Sequence, residues 1–93
     1  MTVISAKLTI HIPWAVSLKD KRQVKRSLID KVRQRFNVSV AEVDTQELHQ
    51  TLTLGIAAVS GAYHYAREVL DETIRFMEGS TDAEVTSVEL TEL

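Results

Sequence analysis

An α+β sandwich, four strands in one sheet with two helices on one face, is the fold class this sequence predicts. Three observations carry the prediction. Apolar and polar residues alternate over 3–12 and again over 48–59, the period of a half-buried strand. Two other stretches repeat their apolar residues at helical spacing, each preceded by a serine able to cap it. The patterns interleave as strand, helix, strand, strand, helix, strand.

In the first strand Ala6, Leu8, Ile10 and Ile12 alternate with Lys7, Thr9 and His11, and Pro13 ends it because proline cannot donate to a ladder. Ser17 then offers an N-cap, with Asp20 three residues on as in a capping box. The helix is expected from Leu18 to Arg35, with Leu18, Val24, Leu28, Ile29, Val32 and Phe36 in one apolar arc and Asn37 as its stop. Val38 to Val43 reads as a second strand whose apolar phase slips after Val40, which a bulge explains. Asp44 to Glu47 is a polar connection into a third strand, with Leu52, Leu54, Ile56 and Ala58 on one face. Ser60 is expected to cap a second helix with Ala66, Val69, Leu70, Thr73 and Met77 inward and Gly79 as its stop. A last strand, Glu84 to Leu93, points Val88 and Leu90 inward. Two right-handed crossovers then give the split βαβ topology, a ferredoxin-like βαββαβ sandwich with a four-stranded antiparallel sheet.

The chain has 93 residues, expected to form a single domain over 1–93, and a domain of this size buries roughly 60–65% of its unfolded surface. It has no cysteine, so neither a disulfide framework nor a thiolate metal site is available. No signal-peptide pattern opens it, and no apolar run approaches the ~18 residues of a membrane span. A cytoplasmic protein of bacterial type, without a membrane partner, is the expectation.

A net charge of −2 excludes a globally basic nucleic-acid binder but not a basic face. Eight of the eleven basic residues fall in the first helix and its cap: Lys19, Lys21, Arg22, Lys25, Arg26, Lys31, Arg33 and Arg35. Arg22, Arg26 and Arg33 share one flank of the wheel, with Lys19 beside them, and arginine forks on such a stripe suit phosphate oxygens. The competing expectation is that Glu68, Asp71, Glu72 and Glu78 of the second helix claim these arginines. Lys21 and Lys25 fall inside the apolar arc, where their long stems either snorkel past the sheet edge, the expected reading, or belong to first turns that overhang the core and present Leu18, Lys21 and Lys25 to a partner. The free N–H groups at the helix start could meet an anion, but capping by Ser17 and Asp20 is the expected role.

The open sheet face carries Lys7, Thr9, His11, Thr51, Thr53 and Gly55, with no stacking ring, which disfavours base stacking on the sheet. Ala41, Val43, Ala57 and Val59 add apolar area there, so the alternative function is a homodimer or protein-interaction module using that face. The topology gathers the Pro13–Ser17 loop, the Asp44–Glu47 hairpin and the Gly79–Asp82 loop at one end. Trp14 and His49 are candidates for a contact at that end of the sheet, with Trp14 otherwise covering the core. His11, His49 and His64 lack metal-ligand spacing. Glu42, Asp44, Glu47 and His49 could gather at the hairpin, but no nucleophile, phosphate loop or metal motif supports catalysis, and no cofactor or small-molecule substrate is predicted.

The segments Ser17-Leu18-Lys19-Asp20-Lys21-Arg22, Ser27-Leu28, Arg35 to Val43 and Leu54-Gly55 resemble the YlxP-like family of small bacterial proteins. The resemblance spans essentially the whole chain and implies a ferredoxin-like sandwich. It supplies no activity, the family being of unknown function. In some bacteria the gene lies near genes for translation initiation and ribosome maturation, which implies a connection to RNA or the ribosome. Trp14 departs from the family pattern, in which a small residue is expected. The function expected is therefore a non-catalytic binding module for RNA or a ribosomal component. Lys19, Lys21, Arg22, Lys25, Arg26 and Arg33 are its candidate contact residues.

Overall fold

The computed structural model describes residues 1–93. Its elements are β1 (Thr2–His11), α1 (Leu18–Arg35), β2 (Ser39–Asp44), β3 (Thr51–Ser60), α2 (Tyr63–Gly79) and β4 (Glu84–Glu92). The strands form one antiparallel sheet in the order β2-β3-β1-β4. This is the ferredoxin-like α+β sandwich that the periodicities predict.

Register follows the hydrophobic phase. Leu8 of β1 stands between Leu54 of β3 and Val88 of β4, and Ala6 between Ile56 and Leu90. Ile4, Ala6, Leu8 and Ile10 are buried under the helices, and with β3 and both helices they build one cluster of 18 buried apolar residues. A slip by one residue would turn every one of these side chains to the other face, so burial fixes the pairing.

The helices do not cover the whole sheet. α1 packs on β2 and the edge of β3, and α2 on β1 and β3. Val88 and Leu90 lie on the helix-side face as expected, but remain 41% and 38% exposed because the helices pack mainly on the other three strands; on β4 Val85 packs against the core.

The caps differ in part from expectation. The Ser17 hydroxyl accepts from the Asp20 N–H at 3.2 Å, and the Asp20 carboxylate accepts from the Val16 N–H at 3.0 Å. That reciprocal cap, of a kind that contributes about 1 kcal/mol, places the Asp20 carboxylate at the helix start, as the sequence predicts. α1 ends when Phe36 turns extended at φ −130°, one residue before Asn37, and Asn37 adopts no left-handed cap. Ser60 is not the N-cap of α2, which is Ala62; the Ser60 hydroxyl accepts from the Ala62 N–H at 3.4 Å instead. Gly79 is the last helical residue and has no positive φ, so Ser80 takes the C-cap.

The expected bulge lies in β2, where the register shifts between Glu42 and Asp44. Val43 therefore lands above Gly55 on the open face, where a Cβ would come within 2.8 Å of its Cγ1. Glycine at 55 is what lets the bulged strand sit that close.

Candidate functional site

The two cationic groups of α1 point in opposite directions. Lys21 and Lys25 occupy the inner arc, over β2. Glu42 pairs with Leu54, so its carboxylate faces the helices and not the solvent. Lys21 Nζ lies 2.9 Å from Glu42 Oε2, and Lys25 Nζ donates to Oε1 at 3.3 Å. The Lys21 side chain is 3% exposed and that of Glu42 11%. Glu42 Oε2 accepts no hydrogen bond, so its contact with Lys21 is ionic, off the hydrogen-bonding direction.

The Lys21 ammonium donates instead into the β2–β3 loop. Its acceptors are the carbonyls of Thr45 at 2.6 Å, Leu48 at 2.8 Å and Gln46 at 3.3 Å. Thr45 is held at φ 61°, a left-handed conformation that a β-branched residue adopts only under constraint. Lys21 supplies part of that constraint through the Thr45 carbonyl. The rest comes from the Thr45 hydroxyl, which lies 2.6 Å from the Asp44 carbonyl and 2.9 Å from the hydroxyl of buried Thr53. Burial raises the Glu42 carboxyl, but the close contact with the Lys21 ammonium, then that with Lys25, outweighs it and holds the group below its ordinary value of 4.5.

Lys21 is thus corrected from a candidate contact residue to an internal counterion. It does not snorkel to water. Lys25, half-buried, spends its charge on the same carboxylate.

The outer flank is different. Lys19, Arg22, Arg26 and Arg33 are exposed, and none of them has a carboxylate within ion-pair distance. The second helix does not claim the arginines. α2 meets the far side of α1, where Phe36 and Phe76 pack edge-on at 5.5 Å and Arg35 covers the Phe76 ring at 4.6 Å. The arginine flank lies over β2, where Arg33 donates to the Val40 carbonyl at 3.3 Å. Lys19 forms no pair with the hairpin acids. From Lys19 to Arg33 the stripe runs roughly 20 Å at 1.5 Å per residue.

The three loops do meet at one end. Gln50, which the sequence did not single out, ties the start of β3 to the loop after β1. Its Nε2 donates to the Pro13 and Ala15 carbonyls, each at 3.2 Å, while its own carbonyl accepts from the Ile12 N–H at 2.9 Å. The only sequence signal was a polar amide at the head of a strand. Trp14 is thereby fixed on both sides, yet stays 49% exposed, so it does not cap the core as expected. It walls a shallow cleft of about 300 Å³ with Val24 and Leu28 beneath and Gln23, Ser27 and Asp82 at the rim. His49 is exposed on the hairpin and lines no part of that cleft.

The hairpin acids do not gather. Glu42 faces inward, whereas Asp44 faces the open sheet and receives a hydrogen bond from Lys7 at 3.2 Å, with Glu89 4.0 Å away on the other side of that lysine. No three His, Asp or Glu side chains converge as a metal site would require. No helix is long and apolar enough to cross a membrane.

Fold and site together define a small ferredoxin-like α+β protein whose first helix is cationic on its outer flank and ion-paired on its inner one. The chain belongs to the family described as Protein of unknown function (DUF503), whose model matches residues 3–90. It is similar to the Uncharacterized protein YlxP of Bacillus subtilis (strain 168), with 35% identity over 72 residues, 77% of this chain and 78% of the relative.

Proposed function

We propose that this protein is a non-catalytic binding module for RNA or a ribonucleoprotein, docking through the outer flank of α1. One observation carries the proposal: Lys19, Arg22, Arg26 and Arg33 are exposed, lie along one flank and have no internal carboxylate, in a protein whose net charge is −2. A cationic stripe left unpaired amid an acidic chain suits an anionic partner, and arginine adds forked hydrogen bonding to phosphate. Lys21 and Lys25 contribute indirectly, since neutralising Glu42 removes the one acid of β2 that faces this helix.

Fluorescence anisotropy with single-stranded and structured RNA, over a range of salt, tests the proposal. Engaging about three phosphates gives a slope of log K against log salt of about −2 to −3. The Arg22→Glu/Arg26→Glu/Arg33→Glu variant is expected to lose binding while keeping its fold by circular dichroism. Binding unchanged in that variant overturns the proposal.

A second reading rests on the open sheet face, where Val43 and Val59 are 43% and 61% exposed beside the hollow over Gly55. Such a face suits a second copy of the chain. Sedimentation equilibrium at high micromolar concentration reads this directly, and a strict monomer overturns it.

A further inference from the structure

The sheet has no aromatic platform, but the loop at the end of β1 supplies one. We infer that the Trp14 cleft is a nucleobase site, and that its ligand is a guanine of a single-stranded RNA whose phosphates lie on the α1 stripe. The inference rests on the proposed function, which it extends from the strand's backbone to one of its bases.

Three features point to this ligand. First, Trp14 is presented and not buried. Proline precedes it, Gln50 holds the carbonyls of Pro13 and Ala15, and Ala15 is fully buried, yet the indole is 49% exposed. A ring carried on a backbone held on both sides and half open to water meets a base without the loop first being ordered, which keeps the entropy cost of binding low. Second, the cleft has an apolar floor, half-buried Val24 and buried Leu28, and a polar rim, Gln23, Ser27 and Asp82. A base needs that combination: faces against apolar and aromatic groups, edges against hydrogen-bonding groups. Asp82 forms no ion pair in the protein. As a carboxylate it only accepts hydrogen bonds, two at once. Guanine is the base that offers two adjacent N–H donors, N1 and N2, on its Watson–Crick edge.

Third, cleft and stripe adjoin. Gln23 on the cleft rim stands four residues after Lys19 and three before Arg26, so it is a helical neighbour of the cationic stripe. A nucleotide seated on Trp14 is thus within reach of Lys19 and Arg26 for its phosphate.

Trp14 is the sole tryptophan, so its emission reports the site directly. Full-length protein is titrated with a six-nucleotide RNA carrying one central guanine, with oligouridylate of the same length, and with guanosine 5′-monophosphate. The guanine RNA is expected to quench Trp14 saturably and to bind roughly 10-fold tighter than oligouridylate, within the range one paired base edge commands. Guanosine monophosphate is expected to bind far more weakly, because it engages the stripe through one phosphate only. Trp14→Ala, followed by anisotropy, is expected to weaken the guanine RNA roughly 5- to 100-fold with the salt slope unchanged. Asp82→Asn is expected to abolish the preference for guanine while leaving oligouridylate binding as it was. RNA that binds by anisotropy without quenching Trp14, or without loss in Trp14→Ala, overturns this inference and leaves the proposed function standing. Monophosphate binding as tight as the RNA overturns the strand as ligand. No RNA binding, with the triple arginine variant equal to wild type, overturns both.

Discussion

Lys21 and Arg22 are consecutive residues on one helix, and the structure assigns them opposite work. Lys21 turns inward and is nearly fully buried, with a carboxylate and three loop carbonyls around its ammonium. Arg22 turns outward and is exposed without an acidic partner. The same contrast separates Lys25 from Arg26. The residue types fit the division. Lysine offers a compact charge with three separate donors, which suits a ring of carbonyls, whereas the arginine fork suits a planar anion brought from outside. A count of positive charge on this helix therefore overstates its capacity for a partner, because two of the cations are already spent.

The contrast breaks most sharply at Lys21. Lys21→Met removes one member of a buried ion pair, leaves the Thr45, Gln46 and Leu48 carbonyls without their donor, and frees Thr45 from a contact that holds its left-handed backbone. Breaking such a pair costs about 3–5 kcal/mol. Urea denaturation is expected to show a loss of that size, and a Lys21→Met/Glu42→Leu double variant should recover part of it. A loss below about 1 kcal/mol would show that the pair does not hold the β2–β3 loop.

Acid sharpens the same point more gently. The folded Glu42 carboxyl titrates below its ordinary value, so its ion pairs contribute stability that is fully present above about pH 4.5 and lost as pH falls through the depressed folded value. Glu42→Gln lacks that contribution. The stability gap between wild type and Glu42→Gln is expected to stay constant from about pH 7 down to about pH 5, then narrow towards about pH 3. A gap that widens on acidification would reverse the assignment.

The smallest expected effect lies on the outer flank. Arg22→Ala and Arg26→Ala are each expected to change stability by no more than about 0.5 kcal/mol, as exposed substitutions without a buried partner do. Thermal melts of the single variants check this. A loss above about 1 kcal/mol would mean that these arginines serve the fold.

Much of the molecule was legible before any coordinates. Period-two alternation in β1 and β3, the Ser17 cap with Asp20, and the phase slip in β2 led directly to the sheet and to the bulge at Val43. The family resemblance was likewise legible, and the arginine flank was visible on a helical wheel. Lys21 gave a signal that was read incorrectly. A charge in the middle of an apolar arc marks either a snorkelling stem or a buried pair, and only knowledge of its partner separates the two. That partner, Glu42, looked like one more acid of a solvated hairpin. Trp14 was expected to cover the core, because nothing local reveals that Gln50, 35 residues further on from Ala15, would pin its loop with the ring turned out.

The sequence by itself determined the elements, their order and the layer they form, because these follow from periodicities and caps that act over a few residues. Only the tertiary structure decided which cations are free. Whether a lysine meets water or a carboxylate depends on the register of β2 against β3, which turns Glu42 under α1 opposite Leu54, and on the packing of α1 over β2. Those are long-range facts of packing. A helical wheel gives the angle of a side chain on its own helix, but not what stands across from it.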